Sequence, residues 1–216
     1  MMLKEKITSL ELQKYIAYKC NKLTFNDCTE EEIEKIEELS ISSKLINGKK
    51  SGITLEIIEN FHNLKILNIT GFDISQEELN IIISLPQIDR ITFLNSNFEN
   101  ANFSNFNNPK IKLEFRGCIL PKVLPKLENI YIEGTEVDFK SIDFSYVKNL
   151  KITSSTIKNT FSLKEFSQIE SVNLNGSRLY DINESIIYDI SVPSSTKYSH
   201  TDKLYLYDNR RSYNID

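Results

Sequence analysis

The residues able to do chemistry are few and scattered. The 216-residue chain holds two histidines, His62 and His200, and three cysteines, Cys20, Cys28 and Cys118. An imidazole can move a proton and a thiolate can attack an electrophile, but each needs a base, an acid or a metal within reach. No such helper stands at a useful spacing: there is no CxxC, no Cys/His cluster with metal-ligand spacing, no His-Glu-x-x-His, no Gly-x-Ser-x-Gly and no EF-hand run. Six glycines are too few for a phosphate cradle. Neighbouring carboxylates such as Glu31 with Glu32, or Glu37 with Glu38, read as the solvated face of a helix. The sequence predicts no enzyme, no metal and no cofactor, with the three thiols reduced and buried.

Composition bounds the partner. Hydrophobic residues make up 40% of the chain and charged residues 26%, enough to build a core. The formal charge is -4, with no block of like charge, so neither nucleic acid nor a membrane surface is an expected partner. The opening segment lacks an apolar core of signal-peptide length, and no stretch approaches the roughly 18 apolar residues of a membrane span. A cytoplasmic location is expected. Abundant isoleucine, lysine and asparagine without tryptophan fit an AT-rich, bacterial genome.

The elements that would position any site come from a repeat. Aligned on apolar-x-x-apolar-x-apolar-x-x-(Asn/Cys/Ser/Thr)-x-apolar, the chain gives IDRITFLNSNF from Ile88, LENIYIEGTEV from Leu127, VKNLKITSSTI from Val147 and IESVNLNGSRL from Ile169. Roughly one or two such matches arise by chance in a chain of this composition. Partial copies fill the gaps and place the second apolar anchor at Leu23, Leu39, Leu67, Ile91, Leu113, Ile130, Leu150, Val172, Ile190 and Leu204. Alternation around each anchor predicts a short strand with one wet side. The small polar residue that follows predicts a turn, and Cys28, Ser96, Cys118, Thr135, Ser155, Ser177, Ser195 and Asn209 form an expected ladder of such residues. Gly71, Gly117, Gly134 and Gly176 fall just after predicted strands and read as turn residues.

These copies resemble the leucine-rich repeat family, closest to its short bacterial, internalin-like members, because a polar helical lead-in, TEEEIEKIEELSIS, precedes the first regular copies. The resemblance covers about residues 20–209. It departs from the family in its uneven lengths, its excess of isoleucine, and Phe72 and Lys44 at the small polar position. It implies an α/β class: a leucine-rich repeat solenoid, a curved stack of short parallel strands with helical or irregular return segments. Residues 1–19 would form a capping segment carrying Leu12, Tyr15 and Ile16 on one side, residues 20–209 about ten irregular coils, and residues 210–216 a tail. Capping-box spacing at Thr29/Glu32, Ser75/Glu78 and Ser162/Glu165 predicts helices in three return segments, the second stopped by Pro86. A minor alternative takes ENANFSNF and VDFKSIDFSYV, with Phe103, Phe139 and Phe144, as pieces of a pentapeptide-type β-helix.

In that family the outward strand residues make a concave binding face. Here they gather Arg90, Leu94, Glu114, Arg116, Tyr131, Glu133 and Lys151 in the middle and Tyr205 with Tyr207 at the C-terminal end. The charged members either recognise a partner or pair across neighbouring strands. The expected function is a non-enzymatic scaffold binding another protein through this face. The alternatives are a regulatory or effector-associated module acting on an enzyme from another chain, and a self-associating structural protein using LYLYDN and SYNID.

Overall fold

The computed structural model of the chain describes residues 9–43, 61–103 and 110–200, together with Ile7, Ile58, Phe106 and Asn108. Five-residue segments with apolar side chains in second and fourth place form strands, since alternate side chains project to opposite faces. The first five are β1 (Glu38–Ser42), β2 (Ile66–Thr70), β3 (Arg90–Leu94), β4 (Lys112–Arg116) and β5 (Asn129–Glu133). Beyond them the chain alternates between two sheets through β6 (Glu136–Asp138), β7 (Asn149–Thr153), β8 (Thr156–Lys158), β9 (Ser171–Asn173), β10 (Arg178–Tyr180), β11 (Ile186–Ile187) and β12 (Lys197–Ser199).

The result is an α/β fold with few helices among the described residues. Its main feature is an eight-stranded parallel sheet in the order β1-β2-β3-β4-β5-β7-β9-β12, which does not close into a barrel. One inward row runs Leu39, Leu67, Ile91, Leu113, Ile130, Leu150 and Val172, and a second runs Ile41, Ile69, Phe93, Phe115, Ile132 and Ile152. Each of these side chains is at most 4% exposed. Burying one such side chain contributes about 1.5–3 kcal/mol, and no single strand could do so without its neighbours.

A second, four-stranded sheet runs β11-β10-β8-β6. Val137, Ile157 and Leu179 pair in register within it and are fully buried, so the last apolar position of each repeat closes the core from the opposite side. Two groups of phenylalanine rings pack in and against the core in edge-on, stacked and tilted contact. One joins Phe93, Phe98, Phe103, Phe106 and Phe115, the other Phe139, Phe144, Phe161 and Phe166. Phe139 and Phe144 each open a 3₁₀ turn.

The polar ladder after the strands holds through its middle. Ser96 Oγ accepts from Phe72 N at 3.4 Å and donates to Leu94 O. The Cys118 thiol donates to Phe93 O, and Thr135 Oγ1 donates to Cys118 O. Ser155 Oγ accepts from Thr135 N at 3.3 Å, and Ser177 Oγ accepts from Ser155 N at 3.2 Å. Each residue thus satisfies a backbone group that the bend would leave unpaired.

Helices form where capping permits. Helix α1 (Leu10–Lys19) buries Leu12 and Ile16, and its Tyr15 hydroxyl accepts from Ser40 N at 3.1 Å, which occupies a donor on the edge strand β1. Helix α2 (Glu30–Glu34) and helix α3 (Gln76–Ser84) carry reciprocal capping boxes at Thr29/Glu32 and Ser75/Glu78. The third expected helix is absent. Leu163 N donates instead to Ser191 O at 2.7 Å, and the segment turns so that Phe161, Leu163 and Phe166 all pack on the core.

Two strand anchors also differ from expectation. Leu23 is 99% exposed, because the Asp27 carboxylate takes both Thr24 N and Thr24 Oγ1, which folds a turn and buries Phe25 instead. Cys28 is accordingly buried in that turn and not on the ladder. Ile190 is replaced in the sheet by Tyr198, which pairs with Val172. Pro193 follows Ile190 at a position where a strand needs an N–H donor, and the chain first spends Ile186–Ile187 on the antiparallel β11. Ser195 is therefore exposed and precedes the last strand. Leu204, Asn209 and Lys44 lie outside the described residues.

Candidate functional site

The same alternation that buries one row exposes another. Outward positions in register run Ser40, Asn68, Thr92, Glu114, Tyr131, Lys151, Asn173 and Ser199, and beside them Ser42, Thr70, Leu94, Arg116, Glu133 and Thr153. Strand pairing therefore brings Glu114, Arg116, Tyr131, Glu133 and Lys151 together on three adjacent strands. Leu94 stands opposite Arg116, and Arg90 opposite Lys112, at the margin of the cluster. Arg90 is half-buried, and its Nε has no hydrogen-bond partner among the described residues. Tyr205 and Tyr207 lie outside the described residues.

Within the cluster the charges pair mainly along β4. Glu114 is buried, Arg116 Nη2 donates to its Oε2 at 2.9 Å, and Lys112 Nζ stands 3.4 Å from its Oε1. Glu133 is a looser partner, 3.9 Å from Arg116 Nε. The Arg116 guanidinium lies 5.2 Å and the Lys151 ammonium 4.4 Å from the centre of the Tyr131 ring. Each exposed cation–π contact is worth about 0.5–1 kcal/mol. Together they hold a large, half-buried aromatic side chain in one orientation.

An open groove of about 710 Å³ adjoins this cluster and crosses β4, β5, β7, β9 and β12. Beside Ile130, Leu150 and Val172, a chain of polar side chains on successive strands lines it. Ser171 Oγ donates to Asn149 Oδ1 at 2.6 Å, and Asn149 Nδ2 donates to Asn129 Oδ1 at 2.8 Å. Lys110, Lys112, Lys151 and Lys197 line it, and among the described residues no carboxylate does. Tyr198 closes the far end. Burial raises its phenol pKa, as does the nearby Asp189 carboxylate, which lies outside hydrogen-bond geometry. Apart from Lys151, these residues were not among those singled out from the sequence. Lys112, Asn129 and Asn149 sit one place before the anchor, and Tyr198 and Lys197 belong to the strand that Ile190 was expected to supply. The usable signal was lysine on alternate strands.

The reactive residues are placed as structural groups. His200 Nε2 is 3.0 Å from Ser177 O and Nδ1 is 3.1 Å from Tyr188 O, so the ring bridges two backbone segments. His62 is exposed. Burial, with Cys28 beside it, pushes the Cys20 thiol up to about 11, and burial also raises Cys118, so neither presents a ready thiolate near neutral pH. Among the described residues no three His, Cys, Asp or Glu side chains gather to hold a metal ion, and no helix is long and apolar enough to cross a membrane. No protein-family model matches the chain, and no curated protein matches it.

Proposed function

We propose that the chain is a non-enzymatic interaction module of leucine-rich repeat type, a solenoid that binds a partner protein through the exposed face of its large sheet. The observation that carries this reading is the clamped tyrosine: Tyr131 held under Arg116 and Lys151, on a face whose strands lie in unbroken register from β1 to β12. Tyrosine and arginine dominate interface energetics because they bury large area while keeping a polar contact, and a side chain already fixed loses little entropy on binding. Register gives the face rigidity, and the repeat lets its outward residues vary without disturbing the core.

The test is capture of partners from an extract of the source cells by the tagged full chain, quantified by mass spectrometry. Replacing Arg116 and Tyr131 by alanine is expected to lose at least tenfold of the captured partner. Capture that is unchanged by both replacements contradicts the reading.

A further inference from the structure

We propose that the lysine groove binds an extended acidic peptide whose carboxylates recur at every third residue. This inference rests on the interaction-module reading and names the chemistry of its partner. Lysines enter the groove from alternate strands: Lys112 on β4, Lys151 on β7 and Lys197 on β12, with β5 and β9 between them. Neighbouring strands lie about 4.8 Å apart, so successive lysine-bearing strands are about 10 Å apart. A polyproline-II segment rises about 3.1 Å per residue with three residues per turn, and therefore presents every third side chain on one side at about 9.3 Å. Lys112 and Lys197 share one register row, about 19 Å apart across four strand spacings and close to six residues of such a segment, while Lys151 stands two residues, about 6.6 Å, further along β7 and reaches back to that line with its long arm.

The charges around the groove favour an acidic occupant. Lys110, Lys151 and Lys197 make no ion pair among the described residues, and Lys112 shares Glu114 with Arg116. On a chain whose formal charge is -4, four lysines with no lining carboxylate among the described residues are a local reversal of sign. The polar lining suits a peptide backbone. Asn149 gives one amide hydrogen to Asn129, which leaves its second and both of those on Asn129 uncommitted among the described residues and able to donate to peptide carbonyls. A nucleic acid fits less well. The Tyr131 ring that a base would stack on already carries two cations.

Fluorescence anisotropy with the full chain tests the proposal. The probes are a labelled nine-residue peptide with glutamate at its first, fourth and seventh places and proline or alanine elsewhere, its glutamine counterpart, an isomer with the three glutamates adjacent, and a nine-nucleotide single strand. The spaced-glutamate peptide is expected to bind, the adjacent isomer at least threefold more weakly, and the glutamine peptide not measurably. Lys151→Gln and Lys197→Gln should each weaken binding roughly tenfold. Lys158→Gln, whose lysine pairs with Glu136 on the other sheet, should leave it unchanged. Equal binding of the glutamine peptide, indifference to both groove lysines, or an oligonucleotide that binds as tightly as the peptide overturns the proposal. If peptide binding fails while Tyr131-dependent capture of a partner persists, the groove assignment alone falls. If both fail, the interaction-module reading falls with it.

Discussion

Strands β1, β2 and β3 and strands β4, β5 and β7 share one backbone plan and one kind of interior, yet their outward rows differ in character. On the first three strands the row is Ser40, Asn68 and Thr92, and on the next three it is Glu114, Tyr131 and Lys151. The inward rows show no such division, being Leu, Ile or Phe throughout. Stacking therefore constrains only the inward half of each strand. The outward half is free to be small and neutral at the N-terminal end and charged and aromatic in the middle of the sheet. The N-terminal end spends its polar groups on structure: Tyr15 takes a donor of β1, and Asn68 Nδ2 donates to Ser40 Oγ.

The largest expected effects ask whether the interior really is undivided. Leu67→Ala in the first region and Leu113→Ala in the second should each cost about 2–5 kcal/mol in urea unfolding, because both side chains are fully buried in the same row. Costs that differ by more than about 2 kcal/mol would carry the division into the core. Next come the turns. Gly117 and Gly134 both hold left-handed backbone, at φ 60° and 65°. A Cβ on Gly117 would meet Asn95 Oδ1 at 2.5 Å, whereas one on Gly134 would meet nothing within 4 Å. Gly117→Ala should cost about 2 kcal/mol or more and Gly134→Ala about 1 kcal/mol. Equal costs would mean that Asn95 yields freely.

Smaller effects separate the outward rows. Glu114→Gln removes the negative charge shared by Lys112 and Arg116 and should cost about 1 kcal/mol, while Asn68→Ala, on the neutral side, should stay within about 0.5 kcal/mol. The smallest test reads one proton. Glu32 accepts from Lys22 and caps Thr29, which together hold its carboxyl down at about 2. Its folded value lies below the ordinary carboxylate value of about 4.3, so its stabilising contribution is complete above that value and is lost as pH falls through about 2. Carboxyl NMR titration should show that midpoint, and Lys22→Ala should raise it. A midpoint already near the ordinary value would remove the structural role given to charge at this end.

How much of this was legible in the sequence depends on what each residue competes with. From Leu39 to Val172 the anchors align as expected, because the alternation decides which face is buried and few other patterns compete. The turn ladder from Ser96 to Ser177 was readable for the same reason, since one small polar side chain per bend has one backbone group to satisfy. Leu23 was misread because Asp27, four places on, captures Thr24, a local interaction invisible to apolar periodicity. Ile190 was misread because a two-residue antiparallel strand and Pro193 lengthen that return segment before Tyr198 reaches the sheet. The candidate site was half legible. The cluster around Tyr131 follows from strand register alone, whereas the groove needs Lys197 and Tyr198 from the displaced last strand.

The most direct measurement is hydroxyl-radical footprinting of the full chain with and without its captured partner, read residue by residue by mass spectrometry. Binding through the charged, aromatic region should protect Tyr131 and Tyr198 while Tyr18, exposed on α1, and Tyr146, exposed in a 3₁₀ turn between the sheets, stay as reactive as in the free chain. Protection of Tyr18 or Tyr146 with Tyr131 unchanged would place the partner elsewhere and contradict the account.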